Sequence, residues 1–335
     1  MNMKKITICS FSLALLIGLV SHSVFAVSQK NQPQIKFNKF QITSDGHQEN
    51  APAIYKNWVV YDDWGGDGVD IKIYNLKTKE DKVLVSKAGN QMSPDIWGNI
   101  VVWENYNGSD ADIYGKNIKT QKEFPVAVIS GSNQVSPAVF DNIVVWSDNR
   151  NGNYDIYGYN LKTKKEFQIT NDSANNYTPR IWNNKVVWYS GVGGLYNIEG
   201  YDLKKKEKFN ISSLNDGHQQ TPDIFANQVV WTDSRDGAAK IYYKNLAMGV
   251  EKVLTDTGGK SYPRISNKYV AWVDDEGIGT HNIYVYDLKK NNSVQISNDG
   301  VQQISPTIPD IWQNTVVWMS WHTGNGDIYG AKIIR

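Results

Sequence analysis

The apolar positions of this chain fall in short runs separated by polar turns, and the stretch from Ile143 to Thr170 shows the pattern most fully. Ile143-Val144-Val145-Trp146 is β-branched and aromatic without polar alternation, as a strand buried on both faces requires. Asn151-Gly152 supplies the positive-φ positions of a tight reversal, after which Asp155-Ile156-Tyr157 opens a second strand. The charged link Lys162-Thr163-Lys164-Lys165 turns the chain into a third strand, Phe167 to Thr170. A sheet with two apolar faces cannot bury both alone, so this pattern demands neighbours of its own kind.

Those neighbours are copies. Aligning the aromatic that closes each apolar run gives Tyr61, Trp103, Trp146, Trp188, Trp231, Trp272 and Trp318, at steps of 42, 43, 42, 43, 41 and 46 residues. A proline lies nine residues before each: Pro52, Pro94, Pro137, Pro179, Pro222, Pro263 and Pro309. Three residues after most of these prolines stands an apolar anchor, Tyr55, Trp97, Phe140, Trp182, Phe225 or Trp312, with Ser266 the exception. Each unit therefore predicts four strands: an inner one after the proline, the VVW strand, the DIY strand and an outer one. Four strands in about 42 residues is the size of one propeller blade. At the ends, Phe40 to Thr43 reads as an outer strand that precedes any inner one, while the last copy stops at Arg335 after Asp327-Ile328-Tyr329. The fold expected is all-β, a seven-bladed β-propeller of four-stranded antiparallel blades, with residues 40–43 completing the last blade and leaving no open sheet edge.

Composition adds a boundary and removes some functions. Residues 1–26 combine Lys4 and Lys5, an apolar run from Phe11 to Val20 and the small-residue exit Ser23-Val24-Phe25-Ala26, the layout of a secretory signal peptide. A leader over 27–39 and the propeller over 40–335 follow. The single cysteine, Cys9, falls inside the signal, so the exported chain has no thiol or disulfide. Removing Lys4 and Lys5 leaves 33 basic against 34 acidic residues, a balance that does not call for nucleic acid. No other long apolar segment is present, so the propeller is not expected to span a membrane, and it is read as a monomer.

From Pro137 to Thr163 the repeat reads proline, apolar, aromatic, then N-x-VVW-x-D-x-R-x-G-x-x-DIY-x-Y-x-L-x-T. This resembles the TolB-type propeller repeat, and more closely the surface-protein propeller repeats of methanogenic archaea and some bacteria, over residues 40–335. The resemblance implies the fold strongly and the function weakly, because that superfamily includes binding scaffolds, peptidase gating domains and a few lyases.

Propeller geometry sorts the loops onto two rims. Loops entering the inner strands, together with the hairpins between second and third strands, share the first rim, which is rich in amides and acids. Glu49, Gln91, Gln134, Asn176, Gln219 and Lys260 stand three residues before their prolines, joined by Gln303 if Pro306 is counted, and are expected to ring the channel mouth. His47, Gln48 and His218 lie in the same loops, and Trp64, Asp148, Arg150 and Trp321 in the hairpins. The second rim carries lysines in L-K-T-K turns interleaved with Glu80, Glu123, Glu166 and Glu207, the pattern of a solvated edge.

No residue pattern announces catalysis. There is no G-x-S-x-G between strand and helix, and the acidic hairpins do not match a calcium-binding loop with its distal glutamate. Adjacent carboxylates such as Asp62-Asp63 point to opposite faces of a strand. Two readings compete for the first rim. One is a non-catalytic scaffold, without cofactor, that binds a protein or cell-surface glycan through hairpins varying from DNRNGNYD to SGVGGLYN to SWHTGNGD. The other is a metal-dependent polysaccharide lyase or hydrolase with a divalent ion held by His47, His218, His281 and His322, as the resemblance to TolB-like oligogalacturonate lyases implies. A third reading is a structural element of the cell surface.

Overall fold

The computed structural model describes residues 34–212, 218–275, 281–297, 308–322 and 324–334. The signal segment and Gln303 lie outside the described residues. Seven four-stranded antiparallel sheets follow one another along the chain, and no helix occurs among the described residues. We number them blade 1 (residues 49–85), blade 2 (90–127), blade 3 (134–168), blade 4 (175–210), blade 5 (219–253), blade 6 (260–295) and blade 7 (310–334 with 36–41).

Blade 3 shows why these residues make this unit. Gln134–Phe140, Ile143–Asp148, Asp155–Asn160 and Lys165–Gln168 pair in sequence order from the axis outward. In the outermost ladder Gly158 lies opposite Phe167, and a Cβ on Gly158 would come within 2.4 Å of that ring. Glycine is required there because the phenyl ring lies over the backbone. Gly115 with Phe124 and Gly200 with Phe209 repeat the arrangement.

So do Gly330 and Phe40, in the closing blade. There the N-terminal strand Lys36–Gln41 pairs antiparallel with Asp327–Ile334, and Phe40 occupies the same place against Gly330 as Phe167 does against Gly158. Closure by the N-terminus is therefore as expected, but the strand covers residues 36–41 instead of 40–43. Part of the segment read as a leader belongs to the ring.

The core lies between blades. Trp146 packs with Val102 and Ile113 of blade 2, Trp188 with Val145 and Ile156 of blade 3, and Trp231 with Val187 and Ile198 of blade 4. The series closes where Tyr61 of blade 1 packs with Val317 and Ile328 of blade 7. The aligned aromatics are thus interblade packing, each no more than 2% exposed.

In blade 7 the described inner strand, Asp310–Trp312, follows Pro309, but in blades 1–6 the inner strands begin before the proline, not after it. The register of each slips across the proline, and the preceding residue lies in the left-handed region: Ala51, Ser93, Ser136, Thr178, Thr221 and Tyr262, with φ between 44° and 56°. The innermost strand is an edge, so a proline there deletes no ladder bond, and the bulge bends the strand along the channel wall. On the second rim Asn75, Asn117, Asn160, Asp202 and Asp287 accept backbone N–H groups of the L-K-T-K turns. The lysines sit where turn geometry puts them.

Candidate functional site at the channel mouth

The residue after each proline faces the axis: Ala53, Asp95, Ala138, Arg180, Asp223, Arg264 and Asp310 line a central cavity of about 280 Å³. Its floor is aromatic. The anchors three residues after the prolines converge from six blades, with Trp97 5.3 Å from Trp182 and 5.2 Å from Trp312, and Trp182 4.1 Å from Phe225. Ser93, Ser136, Thr178 and Thr221 line the cavity toward the first rim. Burial pushes the Asp310 carboxyl up to about 6. Burial, reinforced by the neighbouring positive charge of Arg180, pulls Arg264 down to about 10.

Beside this mouth runs an arc of tyrosines. Tyr154 lies 5.1 Å from Tyr177, Tyr177 5.3 Å from Tyr189, and Tyr189 5.4 Å from Tyr196, whose ring is 6.4 Å from that of His218. The arc crosses blades 3, 4 and 5. Its tyrosines are half-buried, and their hydroxyls donate to no acceptor among the described residues. Exposed Val192 and Leu195 at the blade 4 hairpin extend it.

In blade 1, Asp45, His47 and Asp63 place possible ligand atoms within 4.8 Å of one another. His47 Nδ1 is 3.0 Å from Asp63 Oδ1. The Lys72 ammonium already occupies this group, 2.7 Å from Asp45 Oδ2 and 2.9 Å from Asp63 Oδ2. Burial opposes ionisation of Asp45, but its hydrogen bonds, with Lys72 among the donors, hold it well below the usual carboxylate range. Asp62, next to Asp63, points instead to blade 2, where it accepts the Ser93 N–H.

Several expected site residues are elsewhere than the solvent-facing mouth. Glu49, Gln91, Gln134, Asn176, Gln219 and Lys260 form no exposed ring; each is 8% exposed or less. They sit where the inner strand enters between neighbours, and most serve the loop that carries them. Gln91 accepts the Lys87 N–H, Gln134 donates to Ser132, Asn176 accepts the Trp188 indole N–H, and Lys260 pairs with Asp274. Asp148 is fully buried, accepting the Trp146 indole and the Arg150 backbone N–H, both at 3.0 Å. Arg150 bridges Asp148 and Glu166 over the Tyr157 ring. Trp231, Asp233 and Arg235 repeat this staple in blade 5.

Trp321 packs against the core between blades 7 and 1. Trp64 is 45% exposed and remains on the rim, as do half-buried Gln48 and exposed His218. The four histidines do not converge: among the described residues the possible metal group contains His47 but not His218, His281 or His322. The axial charges and most of the tyrosine arc escaped the sequence reading. The signal of the axial charges was the column after the proline, where charge changes from blade to blade amid apolar neighbours.

No family model matches the sequence, and no curated protein matches it. Solved structures share the fold. An oligogalacturonate lyase in complex with manganese superposes with a TM-score of 0.71 at 11% identity, covering 91% of this chain and 98% of that one. TolB from Acinetobacter baumannii gives 0.52 at 17% identity, over 68% of this chain and 59% of that one. A puromycin-hydrolysing peptidase of Mycobacterium tuberculosis gives 0.63 at 11% identity, over 82% and 49%. The chain thus has a TolB-like propeller fold, and at these identities the likeness concerns the fold alone.

Proposed function

We propose that this protein is an exported, non-catalytic propeller scaffold that binds a protein or a cell-surface glycan through its first rim. The observation that carries this reading is the tyrosine arc from Tyr154 to Tyr196 beside the channel mouth. Tyrosine offers a rigid apolar face and a hydroxyl at little entropic cost, which suits recognition of either a peptide surface or a sugar ring. The arc also lies where blades differ, whereas the strands beneath it repeat. The lyase reading gains less support, because its four histidines are dispersed and the one acidic group near His47 holds the Lys72 ammonium.

The test is capture from a cell-envelope fraction by the immobilised protein. Replacing Tyr154, Tyr177 and Tyr196 together by serine should lower recovery of the bound partner at least tenfold while the circular dichroism spectrum is kept. Equal capture by the folded triple variant, or a partner found only in the cytosol, would sink this reading.

A further inference from the structure

The charged side chains of the axial cavity are not used alike. Asp95, Asp223 and Asp310 each accept a backbone N–H of the next blade, from Val139, Ile265 and Ile54, all at 2.7 Å. These carboxylates are interblade staples, and the third closes the ring between blades 7 and 1. The two guanidiniums have no such employment. Arg180 donates no side-chain hydrogen bond and forms no ion pair among the described residues. Among the described residues Arg264, 8% exposed, donates only to its neighbour Pro263, from Nη1 to the carbonyl oxygen at 3.0 Å. A guanidinium has several more donors than that, set in a fork that matches an oxyanion. Burial first, and then the charge of Arg180, make Arg264 easier to deprotonate, against the pull of the neighbouring aspartates. Arg264 is buried and Arg180 half-buried, and although the neighbouring aspartates offset part of their charge, two like charges facing one cavity are drawn together by an anion between them.

We propose that the axial cavity is a receptor for a small organic carboxylate, held by Arg180 and Arg264 above the floor formed by Trp97, Trp182 and Trp312. A single negative charge fits better than inorganic phosphate, because Asp223 and Asp310 would repel a more highly charged ion. A carbon skeleton fits because the floor is aromatic and offers no hydrogen-bond acceptor. The site is separate from the tyrosine arc and does not depend on the rim's role.

Benzoate, neutral benzamide and inorganic phosphate serve as probes in titration calorimetry. Benzoate should bind at least tenfold more tightly than either of the others. Arg180→Gln and Arg264→Gln should each weaken it tenfold or more, Arg180→Lys should restore part of the loss, and Lys162→Gln on the second rim should change nothing. The serine variants of the tyrosine arc should keep benzoate binding, so failure of the rim reading and of this one are distinguishable. If an arginine variant does not fold, the native protein answers: benzoate should protect Arg180 from phenylglyoxal at least fivefold, read by peptide mass spectrometry. Equal affinity for benzoate and benzamide, phosphate as tight as benzoate, undiminished binding by folded arginine variants, or unprotected Arg180 would each overturn the proposal.

Discussion

Asp148 shows how a rim residue that looks free in the sequence is committed by its surroundings. It is fully buried and serves Trp146 and Arg150 at once, and Arg150 in turn is fixed over Tyr157. Removing the carboxylate leaves the buried indole N–H without its partner and the Arg150 guanidinium with Glu166 alone. Asp148→Ala should therefore destabilise the fold by about 3 kcal/mol, measured by urea unfolding; a loss within experimental error would mean the staple is ornamental. Glu49 gives a pH signature. Burial, followed by the neighbouring Asp45 carboxylate, pushes its carboxyl from 4.5 to about 9. Its folded pKa is raised, so the contribution to stability is full below the unfolded value and declines as pH rises from about 4.5 toward 9. Glu49→Gln keeps the acceptor for Thr43 Oγ1, now 2.7 Å away, and cannot ionise. The variant should match the parent at pH 4 and exceed it at pH 8 in denaturant midpoint. Identical profiles would show that Glu49 titrates normally.

At the scale of the element, the outer strand is held by antiparallel pairing, with a glycine–phenylalanine pair added in blades 2, 3, 4 and 7, and the closing blade borrows its outer strand from the other end of the chain. Lys36–Gln41 covers the edge of Asp327–Ile334 and lays Lys39 over Trp318 and Tyr329. Deleting residues 34–41 uncovers a long strand edge and the face of Gly330. An unpaired edge of this kind recruits other chains. The truncated protein should melt at least about 10 °C lower, a shift of a few kcal/mol at this size, and should form dimers or larger species in light scattering. A monomer of unchanged melting temperature would show that closure contributes nothing.

At the scale of the whole molecule, the ring couples its parts. Each aligned aromatic packs into the neighbouring blade, and Ile54 N–H donates to Asp310 across the junction of first and last blades. No blade owns a complete core, so none should unfold alone. Tryptophan fluorescence and far-ultraviolet circular dichroism should report coincident urea transitions; separated midpoints would indicate blades that open independently. The same closure creates the axial site. Asp95, Arg180, Asp223, Arg264 and Asp310 come from different copies of the repeat and meet only because the ring closes around them.

The copies of VVW, DIY and the proline were enough to count blades, order their strands and see that the N-terminus completes the last one. That information is local: it resides in the side-chain period of a strand and in the residues a turn demands, and every copy states it again. Which positions reach the ligand-facing surface was not legible in the same way. The amides and acids three residues before the prolines looked like a mouth and are buried, because the strand enters between packed neighbours there. Whether a side chain points to the axis, into the blade interface or to the rim depends on the bulges at the prolines of blades 1–6 and on ring closure. Those are properties of the assembled molecule, and they alone put Arg180 and Arg264 in one cavity and drew Tyr154, Tyr177, Tyr189 and Tyr196 into one arc.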